Sequence, residues 1–193
     1  MRCLVGWASS GTGTKPGGKS GRKRQFMRVY VPLTLPLLAR VREEGGIGPS
    51  PVTAYAVTPA LREWYLSGNE EELEYAALSR AAQASLRLLA MAPEVDRRRV
   101  VVAADVPDRA AVADPDRALE PDALGEVRID EVIPLAALAA VHVDAPDADE
   151  DIAAAAAAVG AADLGDDDAR FTVDGAADHE LLWYGVQEID GLV

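Results

Sequence analysis

The feature that most limits the possible folds is a short apolar segment in the middle of the chain. Residues 100–104 read Val-Val-Val-Ala-Ala and follow three arginines at 97–99. A segment that is apolar at every position, and not only at every second one, is typical of a strand buried on both faces. Such a strand needs other elements packed on each side of its sheet, so we expect a layered sandwich.

Helices and further strands alternate around this segment. The clearest helix is predicted for residues 69–90, because Asn69 can cap it, three glutamates follow, and apolar residues recur at three- and four-residue steps. Strands are predicted at 27–32, 53–58, 98–104, 126–130, 141–143 and 180–184 (the last with a helix as the alternative), and shorter helices at 35–44, 59–65, 134–139, 152–159 and after 166. We therefore expect an α/β or α+β fold, a single-domain layered sandwich with a mixed sheet of about four to six strands and helices packed on it.

Charge divides the chain at its twenty-sixth residue. The net charge is −13, and residues 1–26 hold six basic residues and no acidic one, which leaves −19 for residues 27–193. We expect 1–26 to be a disordered basic leader, with Met27 as an alternative first residue, and 27–193 to be a single acidic globular domain. Its proline- and aspartate-rich residues 107–122 are predicted to form a mobile loop.

The same composition argues against several classes of function. A body of charge −19 repels phosphates, so we expect it to bind no nucleic acid. No apolar run reaches the roughly 18 to 20 residues that span a bilayer, so we expect no membrane contact. The single cysteine, Cys3, fits a cytoplasmic location.

The basic leader contains a match to the phosphate-binding pattern G-x-x-x-x-G-K-[ST], in the letters GTKPGGKS. The ligand positions are Gly13, Gly18, Lys19 and Ser20. A working phosphate loop needs a buried strand before it and a helix that begins at the Lys-Ser pair. The flanking residues predict neither element, so we interpret the motif as a chance match and nucleotide binding as the least favoured function.

Other candidate chemistry is sparse. The two histidines, His142 and His179, have no paired spacing and no thiolate partner, so we expect no metal site and no cofactor. Asp105 follows the apolar strand, where ligands of open sheets gather, and Arg62 and Tyr55 are the polar groups that could join it in a ligand-binding site.

Two further sets of residues each allow two interpretations. The aromatic residues are expected to fill the core, with a pocket or an interface as the alternative: Tyr55, Trp64, Tyr65, Trp183 and Tyr184. The arginines at 97–99 are expected to pair with carboxylates inside the protein, with an anion or an acidic partner as the alternative.

Several segments together carry a resemblance. They are MRVYVPLTLPLLARV, TAYAVTPALREWY, EELEYAALSRAAQASLRLL, RRRVVVAADVP and HELLWY. In this order, over residues 27 to about 189, they resemble a family of small acidic actinobacterial proteins. The domain that these proteins share has no known function. The resemblance implies a cytoplasmic bacterial protein and carries no catalytic residue, cofactor or substrate.

The sequence therefore supports two hypotheses of function. The first is a non-enzymatic cytoplasmic protein that acts through protein contacts, with a partner protein or as a homo-oligomer. The alternative is an enzyme or small-ligand-binding protein with a site at the carboxyl ends of the strands near Asp105.

Overall fold

A seven-stranded sheet forms the middle of the molecule in the computed structural model, which describes residues 26–66, 68–117 and 120–193. Its strands are β1 (Phe26–Leu33), β3 (Val52–Ala56), β4 (Val100–Pro107), β5 (Ala111–Val112), β6 (Glu126–Ile129), β8 (Leu138–Asp144) and β9 (Leu181–Tyr184). Their order across the sheet is β5-β6-β3-β1-β4-β8-β9. A separate small ladder pairs β2 (Gly46–Ile47) with β7 (Ile133–Pro134).

The described residues form five α-helices in addition to this sheet. They are α1 (Leu35–Glu44), α2 (Pro59–Trp64), α3 (Glu70–Met91), α4 (Asp149–Asp163) and α5 (Asp167–Gly175). The predicted cap at Asn69 is present, because its side chain accepts a hydrogen bond from the Glu72 amide, and Asp166 caps α5 by accepting one from the Ala169 amide. A 3-10 helix at Val186–Gly191 ends the chain.

All strand pairs among the described residues are antiparallel, and this confirms an α+β fold with helices on a sheet. The sheet is larger than predicted because the two-residue strand β5 lies inside the segment predicted as a loop. It is not mixed, because β1 lies between β3 and β4 and is antiparallel to both. The helical connection from β3 to β4 therefore joins strands that run in the same direction without pairing.

The sheet is covered on both faces, as the apolar segment at 100–104 predicted. On one face Val29, Val102 and Val141 pack with Leu38 of α1 and with Ile189. On the opposite face Tyr30, Val101 and Ala103 pack against the alanine-rich side of α3, Ala77 and Ala81 among them. Residues 100–104 supply side chains to both faces, since successive side chains of a strand point to opposite sides.

A second helical layer lies on the outer side of α3. Leu86 and Leu89 of α3 pack against Ile152 and Val159 of α4, together with Ala176 after α5. Alanines at 155 and 156 keep the contacting face of α4 small. The two helical layers contact each other closely at one end and leave a groove farther along α3.

The structure contradicts one predicted segment, leaves a second untested and does not describe a third. The helix predicted at 134–139 is wrong, because a 3-10 turn at Leu135–Ala137 leads directly into β8, where Leu138 pairs with Ala104. Residues 107–122 contain a 3-10 turn at Asp108–Ala110 before β5, and their mobility stays a prediction. The basic leader up to residue 25 lies outside the described residues.

Candidate functional site

Asp105, the candidate from strand geometry, is held by an arginine. Arg28 lies directly across from it on β1. The Nε of Arg28 donates to one carboxylate oxygen at 2.6 Å and an Nη donates to the other at 3.1 Å. The hydrogen-bonded carboxylate raises the pKa of Arg28 above its ordinary value. The Asp105 carboxylate is therefore already neutralised by a bidentate partner at the protein surface.

The other two candidates lie apart from Asp105. Tyr55 is buried beneath α3 on β3, with β1 between it and the strand of Asp105, and burial raises the pKa of its hydroxyl. Arg62 lies on α2, where one Nη contacts both carboxylate oxygens of Glu70 at 2.8 Å. None of the three lines the groove described below. A ligand site built from them stays a prediction.

The polar residues near Arg28 are also engaged or neutral. The Tyr30 hydroxyl lies 3.5 Å from Glu74, and burial, aided by the Glu74 charge, raises the pKa of Tyr30 to about 12. Burial lowers the pKa of His142, and the positive charge of Arg28 lowers it further. Both side chains therefore stay uncharged near neutral pH.

The remaining sequence candidates concern phosphate and metals. Gly13, Gly18, Lys19 and Ser20 lie outside the described residues, so the phosphate-loop motif has no structural account. Within residues 26–66, 68–117 and 120–193, no group of three or more metal-ligating side chains occurs. In the same ranges, no helix combines the length and the apolar character needed to cross a membrane.

The arginines at 97–99 are used inside the protein, as expected. Arg97 donates to the Leu89 carbonyl at 2.8 Å, and Arg98 donates to the Asp144 carbonyl at 2.9 Å. Arg99 is 4% exposed and forms an ion pair at 2.6 Å with Asp144, which is fully buried. These contacts occupy the basic segment, which is therefore not an open anion site.

The buried ion pair also positions the residues that precede β9. A second hydrogen of the Arg99 guanidinium reaches the His179 carbonyl at 2.8 Å. The ring of His179 in turn lies 2.9 Å from the Asp151 carboxylate in the first turn of α4. The connection from α5 to β9 is thus attached both to the sheet and to the second helical layer.

A groove of about 850 Å³ lies between α3, the α4–α5 pair and residues 179–181. Its α3 side is a stripe at three- and four-residue steps, Tyr75, Leu78, Ala82 and Leu86. Its volume lies within the range of sites that receive ligands or side chains of a partner. The facing wall is formed by Val159, Ala162 and Asp163 of α4 and by Arg170, Val173 and Asp174 of α5.

The charges of the groove are unbalanced once its ion pairs are counted. Arg87 on α3 donates to both oxygens of Asp163 on α4, at 2.8 and 3.0 Å, and Arg170 pairs with Asp167 at 3.6 Å. In the described part of the chain, Asp174 and Glu180 form no ion pair. The groove therefore presents an apolar stripe, of which Tyr75 and Leu78 are accessible and Ala82 and Leu86 are buried, beside uncompensated negative charge.

Beside the groove, β9 forms one edge of the sheet. It pairs with β8 through Val141–Tyr184, His142–Trp183 and the two following residue pairs, and no other described strand adjoins it. The side chains of Leu182 and Trp183 are 43% and 63% exposed. Because successive side chains of a strand alternate, these two lie on opposite faces of the edge.

The exposure of the aromatic residues corrects the expectation that they fill the core. Tyr55 is buried, but Trp64, Tyr65 and Trp183 are 53%, 43% and 63% exposed. Neither Leu182 nor the groove was predicted from the sequence. The uncharged letters LLWY indicated a strand but not its place at the edge, and the three- and four-residue spacing of α3 indicated its buried face but not the groove beside it.

Comparison with known protein families identifies one match. The family model described as a family of unknown function (DUF6912) matches residues 27–193. This confirms the resemblance to a domain of unknown function over that part of the chain. No curated protein and no solved structure matches the chain.

Proposed function

We propose from its surface that this chain, which belongs to the family of unknown function DUF6912, is a cytoplasmic protein. It acts through contacts with a partner protein and not by catalysis. The observation that carries the proposal is the exposed edge strand β9. Its sequence is Leu-Leu-Trp-Tyr, without charge or proline. In support, the polar groups around Asp105 are engaged by one another and include no nucleophile paired with a base.

Edge strands present a row of amide and carbonyl groups that can pair with another chain. Proteins commonly block such edges with charged residues, proline or very short strands. The opposite edge strand, β5, has only two residues. By contrast, β9 has four residues and exposes Leu182 and Trp183 on its two faces. An extended segment of a partner can therefore add to the sheet as an eighth strand.

Charge selects the kind of partner. The charge of −19 on residues 27–193 makes the acidic domain of a second copy a poor partner, because like charges repel. Glu180 precedes β9 and Glu188 follows it closely, whereas Asp190 is paired with Arg42 at 2.6 Å. A partner segment with a few apolar residues between lysines or arginines matches both the strand and its surroundings.

Differential capture tests this proposal. The full-length chain and a Leu182→Lys/Trp183→Lys variant are immobilised, and the proteins that each retains from native lysate are quantified. Val112→Lys is the matched control, because Val112 is 51% exposed on the opposite edge strand. Circular dichroism checks that all three proteins are folded.

We expect a protein that the wild type and the Val112→Lys control retain and that the β9 variant loses by at least about tenfold. A synthetic peptide of its basic, apolar segment should displace it. Equal retention by all three chains contradicts the proposal. So does a wild-type dimer in sedimentation that the β9 substitutions abolish, because the edge then serves a second copy.

A further inference from the structure

We propose that the groove between α3 and the α4–α5 pair is a second docking site, which receives a short amphipathic helix with basic residues on its polar face. This inference rests on the proposal that the protein acts through a protein partner, but it uses a different surface. The groove is lined by residues of both helical layers and by residues 179–181, whereas the β9 proposal uses the open edge of the sheet with Leu182 and Trp183.

Two residues of α3, Tyr75 and Leu78, are the part of the stripe that the groove leaves accessible. They lie one turn apart on α3, and Ala82 and Leu86 farther along form a buried floor, 4% and 3% exposed. Tyr75 is 59% exposed at one end, and Leu78 is half-buried beside it. A docked helix presents its own apolar residues at three- and four-residue steps, so one such pair matches the single turn from Tyr75 to Leu78.

Charge complementarity indicates that the polar face of the docked helix is positively charged. Asp174 on α5 and Glu180 before β9 line the groove and form no ion pair within the described residues. The surrounding segment, residues 147–180, holds eleven acidic residues and one arginine. Lysine or arginine on the polar face of a docked helix therefore meets negative charge on the α5 side and at the end of the groove.

The arginines that line the groove do not make its net charge positive. Arg99 is buried against Asp144, and Arg170 lies 3.6 Å from Asp167. Arg87 is bound by both oxygens of Asp163. An acidic helix or a small anion would have to displace these carboxylates, whereas a basic helix leaves the three pairs intact.

The test uses defined probes and the full-length chain. Two labelled 14-residue peptides share one amphipathic leucine pattern, with lysine on the polar face of one and glutamate on the other. Their binding is measured by fluorescence anisotropy at about 0.15 M salt, where surface charges are screened beyond about 8 Å. We expect the lysine peptide to bind and the glutamate peptide not to bind.

The variants separate groove binding from general attraction to an acidic protein. Asp174→Arg/Glu180→Arg should weaken binding of the lysine peptide by at least about tenfold. The control Glu43→Arg/Glu131→Arg makes the same charge change at two exposed residues away from the groove and should weaken it by less than about twofold. Leu78→Gln, which keeps all charges, should also weaken binding, because it removes an apolar anchor.

Several outcomes would overturn the inference. Equal weakening by the two arginine variants means that the peptide responds to net charge alone. Unchanged binding to Leu78→Gln, or displacement of the peptide by spermine at equal concentration, means that the groove holds a small cation and no helix. The Leu182→Gln/Trp183→Gln variant, which leaves the charge beside Glu180 unchanged, should bind the lysine peptide as the wild type does, so failure of the β9 proposal and failure of this one are distinguishable.

Discussion

The ion pair between Arg99 and Asp144 is the residue-scale contact on which both proposed surfaces depend. Asp144 accepts hydrogen bonds from the Arg99 amide at 2.7 Å and from its guanidinium at 2.6 and 2.9 Å. The guanidinium also reaches the His179 carbonyl before β9. Buried pairs of this kind contribute little net stability, but removal of one partner leaves an uncompensated charge.

We therefore predict that Asp144→Asn destabilises the fold by about 3–5 kcal/mol, because Arg99 stays buried without its counter-charge. Urea denaturation measures this free energy of unfolding. The control is Asp130→Asn, which breaks an exposed ion pair with Arg128 at 3.0 Å and should cost at most about 1 kcal/mol. Equal effects of the two substitutions would show that the buried pair has no special role.

Tyr30 gives a prediction for alkaline pH. Burial and Glu74 raise its pKa from 10.0 to about 12, so the folded state holds this proton more tightly than the unfolded state. Its contribution to stability is complete below pH 10.0 and is lost as the pH rises toward about 12. Wild-type stability should therefore fall between about pH 9 and pH 11.5 by more than that of Tyr30→Phe.

The measurement is urea denaturation at both pH values. Tyr75→Phe is the matched control, because Tyr75 is 59% exposed on the same helix as Glu74, and it should retain the wild-type decrease. If Tyr30→Phe shows the same decrease as the wild type, the hydroxyl of Tyr30 does not carry the shifted proton.

At the scale of elements, α3 connects the sheet to the groove and is fixed at its start by a capping box. The Asn69 side chain accepts from the Glu72 amide, and the Glu72 carboxylate accepts from the Asn69 amide, each at 3.0 Å. Farther along, Ser85 donates to the Leu33 carbonyl at 2.7 Å and accepts from the Val100 amide at 2.9 Å. These contacts fix the position of α3 on the sheet, and with it the direction in which its groove-lining side chains point.

We predict that Asn69→Ala lowers stability by about 1 kcal/mol, because the first-turn amides of α3 lose their acceptor. Asn69→Asp keeps an acceptor at the same position and should stay within about 0.5 kcal/mol of the wild type. Thermal and urea unfolding of the three proteins check this. A loss as large for Asp as for Ala would argue against the cap.

Most elements could be predicted from the sequence because their signals are local. The cap and spacing of α3 and the apolar residues of β4 required no knowledge of the fold. The two-residue strand β5 could not be predicted, because only its pairing with β6 distinguishes it from the surrounding loop. The absence of parallel pairs depends on β1 lying between β3 and β4, and strand order is not a local property.

The candidate site was less predictable for the same reason. The letters LLWY indicate a strand at 181–184, but whether a strand is central or at an edge is decided by its neighbours. Trp183 was therefore expected in the core and is exposed. The engagement of Asp105 by Arg28 likewise follows from the register of β1 against β4, which the sequence does not state.

At the scale of the whole molecule, charge and layering act together. The acidic residues of 147–180 lie in and around the second helical layer, where α4 and α5 form one wall of the groove. The edge strand β9 follows directly from that layer. Both proposed surfaces therefore adjoin the most acidic part of the chain, and this explains why we expect a basic partner and not a second copy.

The most direct measurement of this account is site-specific photo-cross-linking from β9 in the full-length chain. A photoreactive residue replaces Trp183 in one protein and Val112, on the opposite edge, in another. We predict that position 183 cross-links to a basic segment of a partner protein and that position 112 does not. Cross-links from 183 only to a second copy of the chain, or equal cross-linking from both edges, would contradict the claim that β9 binds a partner strand.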